Sequence, residues 1–161
     1  MPSDEQIGIY LNDHLGGSVA GRALAERLRT QNQGTPLGEA MAPIVREIEA
    51  DQEVLSDFMR QLGVGESQVK RVGASAMEKV RSTFFELGVE GDSALNRFRE
   101  LELLLLGVAG KRELWLALRE VADHQPDWPK LDFGRLIERA AQQMEELERQ
   151  RLQAAVAAFA R

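Results

Sequence analysis

Four long segments with the hydrophobic periodicity of α-helices constrain the fold of this chain more than any other feature of its sequence. In the second segment, for example, large apolar residues recur at intervals of four and seven positions, as Ile44, Ile48 and Leu55 do. This spacing places the apolar side chains on one face of a helix, and that face needs a partner to cover it. The chain is therefore predicted to be all-α, with long helices at residues 4–30, 37–62, 93–123 and 130–159.

The breaks between these segments predict how the helices connect. The stretches QNQGTP and HQPDWP are short and rich in helix-ending residues, so each should join its two helices into an antiparallel hairpin. Residues 66–92 between the hairpins are too many for a tight turn, and their amphipathic pattern predicts a short helix at 66–86. We therefore expect one domain over residues 1–161, a four-helix bundle of two hairpins joined by a long crossover.

Composition and charge exclude several classes of function. The 26 acidic and 20 basic residues give a net charge of −6, which disfavours sequence-independent binding to nucleic acid or to anionic lipid. The absence of cysteine excludes disulfides, thiol nucleophiles and zinc-thiolate sites. The start MPSDEQIGIY lacks a secretory pattern, and the longest apolar run, LLLLGVAG, is too short to span a bilayer. The sequence therefore predicts a cytoplasmic protein with no nucleic-acid or membrane partner.

Polar side chains in the predicted core are the first candidates for a functional site. Asp51 lies in the same stripe as Ile48 and Leu55, where an unpaired charge would cost stability. Carboxylates and an imidazole at one level of a bundle can bind a cation such as iron or manganese. The candidate metal ligands are Asp13, His14, Glu47, Asp51 and Glu102. Two alternatives stay open for these acids: structural pairing with a cation such as Lys111 or Arg139, and plain exposure to solvent.

The two hairpins, the long crossover and these carboxylates resemble the ferritin-like superfamily, which includes ferritins and rubrerythrins. The resemblance covers nearly the whole chain as topology, but only the few candidate ligands as motif. In that family each half of the metal site pairs a Glu on one helix with a Glu-x-x-His on another. No glutamate here stands three residues before a histidine, because the only two histidines, His14 and His124, follow Leu11 and Val121 at that spacing. The resemblance therefore implies a ferritin-like bundle that has lost the di-iron site.

Glycines inside the predicted helices form a second informative pattern. They are Gly17 and Gly21 in the first helix and Gly107 and Gly110 in the third. Each costs about 1 kcal/mol of helix stability relative to alanine, so some feature of the fold must offset the cost. We predict that these glycines allow close packing between helices. A ligand slot beside His14 is the alternative.

The end of the fourth helix carries an apolar spacing that suits a contact with a second copy of the chain. Val156 and Phe159 follow a charged stretch and lie three positions apart. They predict a homodimer, which is the commonest symmetric assembly. The alternative is the fraying end of a core helix.

Three functions are consistent with these features. No P-loop, dinucleotide fingerprint, nucleophile elbow or zinc-protease signature occurs, which favours a protein that is not an enzyme and needs no cofactor. The first hypothesis is a non-catalytic binding or assembly protein. The second is a non-haem iron or manganese protein that uses the five candidate ligands in an unusual arrangement. The third is an acidic interaction module whose partner binds along residues 66–85.

Overall fold

The computed structural model describes residues 2–64, 71, 74, 75, 78, 79, 82 and 93–160, with side chains from Glu5 onward in the first helix. Within these residues no strand occurs, the six described residues from 71 to 82 are helical, and the remaining regular structure is four long helices. They are α1 (Pro2–Gln31), α2 (Pro36–Gln61), α3 (Ala94–Ala122) and α4 (Phe133–Phe159). None of the helices in these ranges is long and apolar enough to cross a membrane. The prediction of an all-α bundle is confirmed for this part of the chain.

Local hydrogen bonds explain where α2 and α3 begin. Thr35 Oγ1 accepts a hydrogen bond from the backbone N–H of Gly38 at 3.2 Å, and Pro36 occupies the first helical position of α2. Ser93, the residue at which the sequence predicted the third helix to begin, accepts a hydrogen bond from the backbone N–H of Asn96 at 3.1 Å. Both caps satisfy an N–H group that has no partner inside its helix.

The fourth helix begins three residues later than predicted, at Phe133 in place of Lys130. Asp132 is its N-cap, and the carboxylate accepts a hydrogen bond from the backbone N–H of Arg135 at 3.0 Å. Leu131 packs against the core although it precedes the helix. The apolar pattern predicted too early a start for this helix, because the side chain of Leu131 reaches the core from the preceding loop.

Contacts between the helices define the arrangement of the bundle. The contacts of α3 with α4 and of α1 with α2 are the most extensive, α1 also packs on α3, and α2 touches α4. The order around the bundle is therefore α1, α2, α4, α3. The two helices that each short loop connects lie next to each other. Of the predicted crossover helix at 66–86, the structure describes residues 71, 74, 75, 78, 79 and 82, and each of these is helical; the other positions of that prediction lie outside the described residues.

Two hydrophobic clusters fill the bundle at different heights. The buried members of the first are Leu24, Ala25, Leu28, Met41, Ile44, Ile48, Leu101, Leu104, Val108, Ala140 and Leu147. Those of the second are Leu11, Leu15, Leu55, Phe58, Met59, Leu114, Trp115, Leu118, Phe133 and Leu136. The end of α1 thus lies level with the first halves of α2 and α3. It follows that α1 runs opposite to both, and that α2 and α3 run in the same direction.

Candidate functional site

A buried polar network lies between the two hydrophobic clusters and joins α2, α3 and α4. Asp51 is only 2% exposed, and its Oδ2 accepts a hydrogen bond from Lys111 Nζ at 2.5 Å while Oδ1 accepts one from Arg139 Nη2. Lys111 Nζ also donates to Gln143 Oε1 at 2.5 Å. The amide of Gln143 donates in turn to Glu47 Oε2 at 2.9 Å. Each of these hydrogen bonds joins two different helices, so the network fixes their relative height.

The charges of this network compensate one another. Glu47 and Asp51 supply two negative charges, and Lys111 and Arg139 supply two positive ones. Burial lowers the pKa of the Lys111 ammonium, and the neighbouring Asp51 carboxylate opposes that shift. The lysine side chain is 14% exposed and the arginine side chain 20%, and Glu47 is also partly exposed, so Asp51 and Gln143 are the buried members of the network. The formal charges of the network therefore sum to zero, and Asp51 forms ion pairs with two cations, in agreement with the pairing alternative for this residue.

A partly open pocket of about 300 Å³ adjoins the network between α1, α2 and α3. Its wall contains the four glycines that the sequence singled out, which are Gly17, Gly21, Gly107 and Gly110. A methyl group added to any of them would meet no heavy atom within 4 Å. The prediction that these glycines close-pack the helices is therefore wrong. The helices stay far enough apart to leave open space beside them, and the glycines border that space.

Two buried polar atoms on residues of the pocket wall have no hydrogen-bond partner in the described part of the structure. They are the indole Nε1 of Trp115 and the side-chain carbonyl oxygen Oε1 of Gln52. Trp115 as a whole is 1% exposed. A buried polar atom without a hydrogen-bond partner costs roughly 1–3 kcal/mol of stability. The hydrogen-bonding capacity of this wall is therefore less fully used than in an ordinary protein core.

His14 is a half-buried polar side chain on the same wall. Its ring packs edge-on against Tyr10, with 4.7 Å between the ring centroids and an angle of 67° between the planes. Burial lowers the pKa of the imidazole, and the adjacent Asp13 carboxylate opposes the shift only in part. The ring is therefore less readily protonated than a free imidazole, and its neutral form presents one N–H donor and one nitrogen acceptor.

The five residues predicted as metal ligands separate into two groups. Asp13, His14 and Asp51 line the pocket, and Glu47 is linked to Asp51 through the network. Glu102 is not part of the pocket wall. Its carboxylate accepts a hydrogen bond from Arg151 Nη1 at 2.9 Å. Among the described residues no three histidine, aspartate or glutamate side chains are grouped so as to hold a metal ion. A metal site stays a prediction.

Sequence reasoning missed a second buried acid, Glu100, which is 1% exposed and accepts a hydrogen bond from Arg27 Nε at 2.7 Å. The Glu102 side chain, which the sequence favoured, is 46% exposed. Residues two positions apart lie about 200° apart around a helix, so only one of these two glutamates can face the core. The sequence spacing could have predicted that Glu100 faces the core, because it precedes the buried Leu104 and Val108 by four and eight positions.

Two apolar residues at the end of α4 are exposed, and one of them also packs within the bundle. Val156 is 66% exposed and Phe159 is 61% exposed, so both are accessible. The ring of Phe159 nevertheless packs on Phe98 of α3, with 5.3 Å between the centroids. The homodimer contact stays a prediction.

Comparisons with protein-family models, with curated proteins and with solved structures found no match for this chain.

Proposed function

We propose that this protein is a non-catalytic binding protein that holds a small, mainly apolar molecule in the pocket at the middle of the bundle. The observation that carries the proposal is the cavity of about 300 Å³ bordered by four helical glycines with open space beside them. Small-molecule pockets occupy roughly 300–1,000 Å³ and are walled mainly by apolar side chains, often between the helices of a bundle. The cavity lies at the lower end of that range, which suits a compact ligand.

The cost of the glycines supports a use for the open space. Four glycines inside helices cost about 4 kcal/mol relative to alanine, since each costs about 1 kcal/mol. At the four pocket positions no close contact offsets this cost, because an added methyl group would meet nothing within 4 Å. Alanine at these positions would stabilise the helices and narrow the cavity. A ligand that occupies this space explains why glycine, the smallest residue, stands at all four positions.

The state of two ionisable groups that line the pocket supports binding over catalysis. Lys111 and Asp51 are hydrogen-bonded to each other, and Lys111 also donates to Gln143. A catalytic acid, base or nucleophile has to reach the substrate with a free proton, lone pair or amine. These two groups are committed to the network, so they stabilise the bundle beside the pocket.

We further propose that the bundle is ferritin-like and has lost its metal site. The support is the direction of the helices, since α2 and α3 run the same way and α1 runs opposite to both. One long connection between two hairpins produces this order. At the height where carboxylates would hold a metal, Asp51 pairs with Lys111 and Arg139. These side chains supply the positive charge that a metal ion would otherwise provide.

The test is to fill the pocket from α1 and to compare it with a matched change on the same helix. Gly21→Leu places a large side chain in the cavity, whereas Gly8→Leu makes the same change at a glycine outside the pocket wall that also has open space beside it. Binding of 2-naphthol is measured by isothermal titration calorimetry after circular dichroism has verified the helix content of both variants. We expect the wild type and Gly8→Leu to bind alike, and Gly21→Leu to bind at least tenfold more weakly. No binding to the wild type, or equal binding to all three proteins, would contradict the proposal.

A further inference from the structure

We infer that the ligand is an uncharged molecule with an apolar body and one hydroxyl or carbonyl group, and that this group forms a hydrogen bond with the imidazole of His14. The inference rests on the proposed binding function and adds the chemical class of the ligand. Three features carry it: the apolar wall, the balanced charges beside the pocket, and the state of each polar atom on the wall.

The apolar body follows from the wall. Large apolar side chains from α2 and α3 line most of it, namely Ile48, Leu55, Leu104, Val108 and Leu114. The four glycines expose only backbone and Cα atoms between these side chains. Transfer of apolar surface from water into such a site is favourable by about 25 cal/mol per Å². A hydrocarbon or aromatic body therefore gains the most from this pocket.

The absence of ligand charge follows from electrostatics. Asp51 and Lys111 border the pocket but compensate each other, so neither offers a free charge to a ligand. Asp13 is exposed on the same wall and carries a negative charge that repels an anion. A charged ligand that leaves water for an apolar pocket without a partner pays a large desolvation cost.

Several polar groups of the wall are already occupied. Lys111 Nζ uses two of its three N–H donors within the protein, and both oxygens of Asp51 accept from cations. Ser18 Oγ donates to the backbone carbonyl oxygen of Leu15 at 2.7 Å, which leaves it only as an acceptor. These three side chains already form hydrogen bonds within the protein, so they are weaker candidates for a hydrogen bond with a ligand.

The remaining polar groups differ in how easily a ligand reaches them. Trp115 Nε1 and Gln52 Oε1 have no partner but are enclosed by protein, so a ligand contacts them only after a side chain moves. His14 has no hydrogen bond in the described structure, and its nitrogens are not among the enclosed atoms. Its packing against Tyr10 also limits the orientation of the ring. A neutral imidazole can donate to a carbonyl, and can both donate to and accept from a hydroxyl.

The test compares two probes that differ in one polar group. 2-Naphthol carries a hydroxyl where 2-methylnaphthalene carries a methyl group, and both are uncharged at pH 7.5. His14→Phe removes both ring nitrogens but keeps an aromatic ring to pack on Tyr10. Calorimetry gives the ratio of the two affinities for each protein. We expect the preference for 2-naphthol to fall by roughly threefold to tenfold in the variant, which is the range that one hydrogen bond supplies.

Two control variants and one charged probe make the result specific. Gln52→Met and Asp13→Asn change neighbouring polar groups of the wall, and should leave the affinity ratio within about twofold of the wild type. 2-Naphthoate, an anion of similar shape, should bind at least tenfold more weakly than 2-naphthol.

Each outcome decides a different point. An unchanged ratio in His14→Phe, a fall confined to one of the control variants, or equal binding of 2-naphthoate overturns this inference and leaves the binding function standing. Failure of the wild type to bind either uncharged probe overturns both.

Discussion

Replacing Asp51 with asparagine measures how much the buried network contributes to stability. The substitution keeps the shape of the side chain but removes the charge that two cations share. Lys111 and Arg139, both hydrogen-bonded to this carboxylate, would then lose their shared anionic partner, and Glu47 would be the one negative charge left in the network. Removing one member of a buried ion pair typically costs about 3–5 kcal/mol, because the remaining charge stays buried.

The geometry places the expected loss at the lower end of that range. One charge-assisted hydrogen bond, worth about 1.5–3 kcal/mol, is lost because the asparagine NH2 group cannot accept, and the other is weakened because the remaining carbonyl oxygen carries no full negative charge. The Lys111 side chain is 14% exposed and that of Arg139 is 20% exposed, so water can partly replace the carboxylate. We expect a loss of about 3 kcal/mol in the free energy of unfolding. For a chain of this length the melting temperature would then fall by about 6–12 °C.

Urea unfolding followed by circular dichroism measures the loss, and an exposed ion pair whose acid lies on the same helix as Asp51 provides the control. Glu49 pairs with Arg22, and the two side chains are 41% and 45% exposed. Glu49→Gln should therefore cost less than about 1 kcal/mol. If Asp51→Asn also costs less than 1 kcal/mol, the reasoning about the network is refuted. Replacing Asp51, Lys111 and Arg139 together by apolar residues should recover most of the loss, since no buried charge is then left unpaired.

Three further predictions follow from single positions. Gly21→Ala should raise the free energy of unfolding by about 1 kcal/mol, because the added methyl group meets open space and alanine favours the helix. Gly38→Ala should lower the free energy of unfolding by about 2–3 kcal/mol or more, since the new Cβ would lie 2.1 Å from the carbonyl oxygen of Asn32. The urea midpoints of the two alanine variants test whether the first is stabilised and the second destabilised. Burial lowers the pKa of His14 in the folded protein, so the unfolded chain binds the proton more readily. The free energy of unfolding should therefore decrease as the pH is lowered below 6.5. His14→Phe should flatten that fall, which thermal unfolding at a series of pH values measures.

Local sequence signals predicted most of the fold. Ser93 and Pro36 mark the starts of two helices because capping and the restricted φ of proline act within one turn. The apolar stripe of α2 predicted a buried face, and Ile44, Ile48 and Leu55 are buried there. The start of α4 was misplaced, because the decisive hydrogen bond involves Asp132 and not the apolar pattern.

The candidate site was harder to predict because it depends on distances between helices. The sequence placed Asp51 on a core-facing stripe and offered Lys111 as a cation, but helix rotation decided that the two would meet. Gly17 and Gly107 showed where side chains are smallest. Whether small residues bring two helices together or leave a cavity depends on the larger residues above and below them. That information is not contained in the spacing of the glycines themselves.

The most direct test of the central claim is to locate a bound probe by nuclear magnetic resonance. ¹⁵N-labelled protein is titrated with 2-naphthol, and the shifts of the backbone amides are mapped along the four helices. The proposed function predicts saturable shifts concentrated at the pocket glycines Gly17, Gly21, Gly107 and Gly110. The exposed apolar residues Leu152 and Val156 serve as an internal control for non-specific contact. Shifts centred on those two residues, or no saturable shift at the glycines, would contradict the account.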